Sequence, residues 1–329
     1  MTFQEFQTAR LCLLTDRPEL LDCGETNLYR ALARLMPEPA TPVEGPVHRC
    51  HLASQWTEFY GLPEAVSRRA FITEGVRNGL DTLFAHLAGK PCLLWLPEDN
   101  YPVYRELAAA HGHQVRTFPT LPEVRWPDAP PPSGVDDEWL LVTHPLKPRG
   151  GPLSPESAGA LREWLAASDR RRALLDTVYQ LESRFDDVTL QLLETGQAVL
   201  LHSLTKGWLH PRCFGVVLMP ERDADEWMPV FRAKVPTQAN LVTARYLMAL
   251  HAEMPGKVKR ELQTAQIRLL ERLAGLPFKL LPVDPASYFV PVEGSWDALL
   301  KRGILGVPAS AFGSKEIGLT LLTSLHFLS

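Results

Sequence analysis

Residues 202–215 read His-Ser-Leu-Thr-Lys-Gly-Trp-Leu-His-Pro-Arg-Cys-Phe-Gly, which puts one lysine, two hydroxyls and an arginine close together. An apolar run, Ala198–Leu201, precedes them, and a second, Val216–Met219, follows. Short apolar runs bounded by Gly and Pro read as buried strands. The polar stretch is then a loop joining two interior strands. A lysine at such a place is poorly hydrated, and desolvation favours its neutral amine, the form that attacks a carbonyl. Read alone, the same residues also fit a surface hairpin whose Lys206 and Arg212 face water.

Other residues could share that chemistry. The run Arg172–Leu175 ends in Asp176-Thr177-Val178-Tyr179. A carboxylate at the carboxyl end of a buried strand is costly unless a cation pairs with it. Strand ends of that kind are where ligands bind in open α/β sheets. As a lone residue, Asp176 equally fits a helix cap. Residues 70–87 read as a short strand, a turn at Gly75 and an amphipathic helix with Leu80, Leu83, Phe84 and Leu87 on one face. A helix N-terminus is a natural phosphate site, although strand–Gly–helix is common in α/β proteins. Arg77 also fits a solvated helix position there. Cys92–Pro97 reads as another buried strand and runs into Glu-Asp-Asn-Tyr-Pro-Val-Tyr at 98–104, where Tyr101 could stack on a ring or merely pack at a helix start. Trp139–Val142 reads as a strand leading to Thr-His-Pro-Leu-Lys-Pro-Arg-Gly-Gly at 143–151.

In order and spacing these segments resemble the fold-type-I enzymes that use pyridoxal 5′-phosphate (PLP), the aminotransferase class I/II superfamily. Lys206 matches the lysine that forms the family's Schiff base. Ser203 and Arg212 match its phosphate-holding residues, although the family's lysine-to-arginine stretch is commonly a little longer. Gly75, Val76 and Arg77 match its first phosphate turn, and Tyr101 the tyrosine stacked on the pyridine ring. Asp176 matches the aspartate paired with the ring nitrogen, and Tyr179 the tyrosine bonded to the phenolic oxygen. Two positions depart from the pattern. Lys147 stands where the family has an asparagine bonded to the phenolic oxygen, and Arg149 replaces a threonine. A cation at 147 would stabilise the phenolate more strongly than an amide. Gly318 stands where the family usually carries the arginine that grips the substrate's α-carboxylate. Arg77, Lys147 or Arg149 is then expected to take over anion recognition, while Lys315 faces solvent; failing that, the substrate is an amine without a carboxylate.

The elements that must position these residues alternate as strand and helix from about 70 to 220, which argues a three-layer α/β/α domain on a mostly parallel sheet. The resemblance implies a PLP-binding large domain at 46–235, with a smaller α/β domain and N-terminal arm built from 1–45 and 236–329. Leu28–Met36 and His51–Tyr60 have helical spacing, and Asp223–Ala274 reads as nearly all helix with a break at Met254–Gly256. The basic run Arg170–Arg172 reads as the end of a surface helix.

Composition is that of a soluble globular chain: 329 residues, 45% hydrophobic, 22% charged, with a net charge of −4. It gives no footprint for nucleic acid and no run long enough to span a membrane. Five cysteines without a CxxC pair speak against a zinc site or a disulfide framework and fit a reducing compartment. With no signal peptide in view, a cytoplasmic homodimer is expected. Its function is expected to be that of an aminotransferase-like enzyme acting on an amino acid or amine, in specialised biosynthesis. The alternatives are a PLP-dependent decarboxylase, elimination or cyclisation enzyme, or a non-catalytic PLP-binding sensor module; no metal is expected.

Overall fold

A computed structural model of the chain describes residues 1–38, 45–128, 130, 132–211, 214–234 and 236–328. Arg212 and Cys213, and the prolines at 39 and 42, lie outside the described residues. In chain order the elements begin with α1 (Phe3–Asp16), β1 (Leu21–Asp22), α2 (Leu28–Ala31), α3 (Arg49–Phe59), β2 (Ala70–Thr73) and α4 (Val76–Leu87). Next come β3 (Cys92–Pro97), α5 (Val103–Ala110), β4 (Gln114–Phe118), β5 (Asp137–Thr143), α6 (Pro155–Ala166), β6 (Arg171–Asp176) and α7 (Asp187–Glu194). The lysine loop joins β7 (Ala198–Ser203) to β8 (Gly215–Leu218), followed by α8 (Ala224–Ala233), α9 (Gln238–Leu250) and α10 (Met254–Leu273). The last elements are β9 (Lys279–Leu280), β10 (Phe289–Glu293), α11 (Trp296–Leu300), β11 (Ile304–Leu305), β12 (Val307–Pro308) and β13 (Leu319–Thr323).

Seven strands form the central sheet in the order β2-β8-β7-β6-β5-β3-β4. Strands β3 to β7 run parallel, and β8 is antiparallel to both β7 and β2. The inner parallel strands β3, β5, β6 and β7 are leucine-rich because both faces of the sheet are covered there, whereas the edge strand β4 is largely exposed and has none. Alternate residues separate cleanly between the faces. Leu94, Leu141, Leu174 and Val199 pack with Leu80, Leu83 and Phe84 of α4. Leu93, Leu140, Ala173 and Leu175 pack with Leu161, Trp164 and Leu165 of α6.

A four-stranded antiparallel sheet, β12-β13-β10-β9, and the pair β1·β11 complete the chain. Residues 21–22 therefore join residues 304–305 across most of the sequence. The N-terminal arm is fixed by Arg10, which is buried, pairs bidentately with Asp22 and also reaches Glu25.

The structure alters several expectations. The run Arg170–Arg172 does not end a helix. Helix α6 stops at Ala166, and Arg171 and Arg172 open β6. Their charges are met by Glu138 and Asp223, and the Arg171 guanidinium lies 4.6 Å from the Trp164 ring. The helix expected over Leu28–Met36 is one turn, Leu28–Ala31, followed by a 3-10 turn. The stretch after 223 is three helices, with its second break at 251–253 and Pro255 inside the first turn of α10.

Candidate active site

The carboxyl ends of β3, β5, β6 and β7 and the N-terminus of α4 converge on one place, as the sheet topology requires. Asp176 closes β6 and is buried. Its Oδ2 accepts the Tyr104 hydroxyl at 2.7 Å and its Oδ1 accepts the Val178 N–H at 3.1 Å. Burial nonetheless pushes its carboxyl up to about 6, against those hydrogen bonds and the attraction of Lys206. Burial works the other way on Lys206, lowering its amine to about 8 while Asp176 opposes the shift. The Lys206 Nζ lies 4.5 Å from the centroid of the Tyr29 ring and 5.4 Å from that of Tyr179.

The loop that carries Lys206 is anchored on both sides. The Trp208 indole N–H donates to the Leu247 carbonyl at 3.1 Å, and a Cβ on Gly207 would stand 3.2 Å from Pro255. Leu209 takes a left-handed φ of 55°, where a β-carbon is crowded. Ser203 is buried at the end of β7, and its Oγ accepts the Thr205 N–H at 3.3 Å.

Gly75 caps α4 at φ 120°, a conformation that glycine alone adopts readily. Across from it, a Cβ on Gly215 would fall 2.5 Å from the Gly75 Cα. The two glycines let β8 and the α4 turn touch, and Thr205 stands next to that turn. Val76 is half-buried in the first helical turn, whereas Arg77 is exposed. Helical N–H groups and the positive end of a macrodipole are thereby aimed at the edge where Ser203 and Thr205 lie.

Tyrosines line the rest. Tyr101 is half-buried and set edge-on against Phe3 and Phe312, with ring centroids 5.4 Å and 5.1 Å away. Burial pushes its phenol up to about 12, against hydrogen bonds with Thr26 and Tyr288. The hydroxyls of Tyr179 and Tyr288 share a 2.8 Å hydrogen bond. Lys147 is buried with its Nζ 4.5 Å from the ring centroids of both Tyr179 and Tyr288, and burial lowers its amine to about 7. Nearby, the Asn100 Oδ1 accepts the Tyr101 N–H, while its buried Nδ2 has no hydrogen-bond partner among the described residues.

The structure thus brings together Gly75, Val76, Tyr101, Lys147, Asp176, Tyr179, Ser203 and Lys206. Arg149 points elsewhere: its Nε donates to the Pro122 carbonyl at 3.0 Å, and it lines a cleft of about 660 Å³ with Glu123, Trp126 and Asp284. Gly318 is exposed just before β13, and Lys315 extends into solvent to Glu98. Tyr29, Tyr104, Tyr288 and Asn100 were not singled out from sequence. Only Tyr104 and Asn100 carried a signal, because they flank Tyr101 in the same segment. Among the described residues no cluster of three His, Cys, Asp or Glu could hold a metal ion, and no helix is long and apolar enough to cross a membrane.

This architecture is the fold of the type-I PLP-dependent aminotransferases. Escherichia coli YbdL, described as having a methionine aminotransferase function, superposes with a TM-score of 0.71 at 18% identity, over 98% of this chain and 95% of its own. In sequence the chain is similar to a probable aminotransferase, TAT1, of Arabidopsis thaliana, at 28% identity over 149 residues, 43% of this chain and 33% of that protein. It is similar also to the S-alkyl-thiohydroximate lyase SUR1 of the same plant, at 28% over 148 residues, 43% and 32% of the two chains. These matches span about a third of the length of the curated relatives. No family model matches the chain.

Proposed function

We propose that the chain is a PLP-dependent, aminotransferase-like enzyme that acts on an amino acid or amine through Lys206. The observation that carries this reading is a desolvated lysine amine, Lys206, set between the Tyr29 and Tyr179 rings and within electrostatic reach of a buried carboxylate, Asp176, at the carboxyl edge of a parallel sheet. The residues present fit the cofactor. Asn100 Nδ2 is an orphaned buried donor, and the Gly75–Gly215 approach leaves no β-carbon over the α4 turn. PLP, when bound, supplies an electron sink for the carbon bearing the substrate's amino group.

The chain's own groups divide the remaining work. Lys206 supplies the amine that holds the cofactor covalently, and a neutral amine near pH 8 can take and return a proton at the substrate carbon. Asp176, oriented by Tyr104, would hold a proton on the ring nitrogen. Tyr179 would hold the phenolic oxygen, and Ser203 with the N–H groups of Gly75, Val76 and Arg77 would hold the phosphate. Arg212 is proposed for the phosphate as well, on the resemblance alone. Tyr101 would cover the ring. Residues 46–235 would form the cofactor domain, with 1–45 and 236–329 as the arm and small domain, in a cytoplasmic homodimer serving specialised biosynthesis.

A second reading is an elimination enzyme, favoured by the similarity to an S-alkyl-thiohydroximate lyase and by Lys147 at the asparagine position. Borohydride reduction of the PLP-incubated protein, followed by peptide mass mapping, is expected to place a reduced cofactor adduct on Lys206. The Lys206→Ala variant is expected to lose both adduct and turnover. An unchanged turnover in that variant would sink the proposal. Product analysis with amino acids and thioether substrates separates transamination from elimination.

A further inference from the structure

The site holds one buried amine, Lys147, one half-buried amine, Lys206, and one buried carboxylate, Asp176. Asp176 is engaged by Tyr104 and Val178 and is drawn on by Lys206. Lys147 has no such partner. It is 4% exposed, its Nζ reaches only the Ser287 Oγ at 3.5 Å, and no carboxylate stands within ion-pair distance among the described residues. The faces of Tyr179 and Tyr288 at 4.5 Å, and of Phe289 at 5.7 Å, surround it. Asp284 attracts it from a distance and Lys206 repels it. Aromatic faces stabilise an ammonium but do not neutralise it. A buried cation left without an anion is costly, and one retained at the mouth of a binding site marks where a ligand's negative charge goes.

The other two cations expected from sequence are not placed for that role, since Arg77 is exposed and Arg149 turns to the Pro122 carbonyl. Resting on the proposed PLP chemistry, we infer that Lys147 is the anion-recognition residue of the Lys206 site. It takes an anionic oxygen of the bound ligand, either the cofactor's phenolic oxygen or the carboxylate of an amino-acid substrate. Tyr179, shared by both lysines, sets the distance between that anion and the reacting amine.

The test uses PLP-loaded wild type beside Lys147→Gln and Lys147→Met, one neutral side chain polar and the other similar in length. One arm follows the visible absorbance of the bound cofactor against pH. If Lys147 meets the phenolic oxygen, the midpoint moves by about one pH unit or more. Lys206, Tyr179, Tyr288 and Asp284 also face this group and are common to all three proteins. The other arm titrates 3-phenylpropanoate, an unreactive monocarboxylate, while following the same band. If Lys147 meets the substrate carboxylate, affinity falls roughly tenfold or more. Movement in either arm supports the inference and names the source of the anion. Unmoved values in both arms, with Lys206 still labelled by borohydride, overturn it alone. Failure of wild type to label at Lys206 overturns the functional reading together with it. Failure of both variants to fold makes Lys147 a structural cation and also overturns it.

Discussion

Replacing Lys147 by Met in the cofactor-free protein should make the chain more stable at neutral pH. In the folded chain burial lowers this amine to about 7, whereas in the unfolded chain it titrates near 10.4. Between those values the unfolded chain binds more protons, so this residue makes stability rise with pH, at up to about 1.4 kcal/mol per pH unit. Well below pH 7 both states are charged and its full penalty, roughly 5 kcal/mol, is present, and about 4 kcal/mol of it remains at pH 7. Methionine removes the charge and fills nearly the same volume. Against that gain stand the contacts to the faces of Tyr179 and Tyr288, together of order 2–4 kcal/mol if fully desolvated. The net gain near pH 7 is therefore about 1 kcal/mol, and it vanishes or reverses near pH 10. Urea unfolding of both proteins at several pH values measures it, because the difference between the two curves cancels the other buried groups. Parallel stability–pH profiles for wild type and variant would refute the reasoning, since Lys147 would then be paired or hydrated.

Three further outcomes follow from the site. Tyr104→Phe removes the hydroxyl that holds Asp176 and should cost about 1–3 kcal/mol in thermal or urea unfolding, with weaker PLP retention at neutral pH. Gly215→Ala drives a β-carbon into the Gly75 backbone, so PLP affinity measured by absorbance should fall while Gly196→Ala, in an open turn, leaves it unchanged. Arg10→Leu strands the carboxylate of Asp22 and leaves Glu25 only Arg30 as a cation, and it should cost about 3–5 kcal/mol, measured by urea unfolding.

Much of the central sheet was legible because its strands are continuous apolar runs with turn residues between them, and β3 falls on Cys92–Pro97 as read. The lysine loop and Asp176 were legible for the same reason, as each polar residue interrupts such a run at its end. Tyr288 and Tyr29 were not. Tyr288 meets Tyr179 across 109 positions, and nothing local distinguishes it from a core tyrosine. Strands β9, β11 and β12 have two residues each, too few to display a period. Helix α1 did leave a trace, the Thr2 and Glu5 capping box, but its apolar residues are not confined to one face. The arginine run at 170–172 misled because charge alone does not distinguish a helix end from a strand whose cations meet Glu138 and Asp223.

The pairing of β1 with β11 has a consequence for how the chain is made. Every strand of the seven-stranded sheet lies between residues 70 and 218, so that sheet can assemble while the remainder is still being synthesised. Leu21 and Asp22 must wait for Ile304 and Leu305, and the Thr323 amide closes the seam on the Cys23 carbonyl. Until then the arm carrying Tyr29 has no edge to join. The cover over Lys206 is thus among the last parts of the molecule to form, and loop closure across so many residues makes it a slow step.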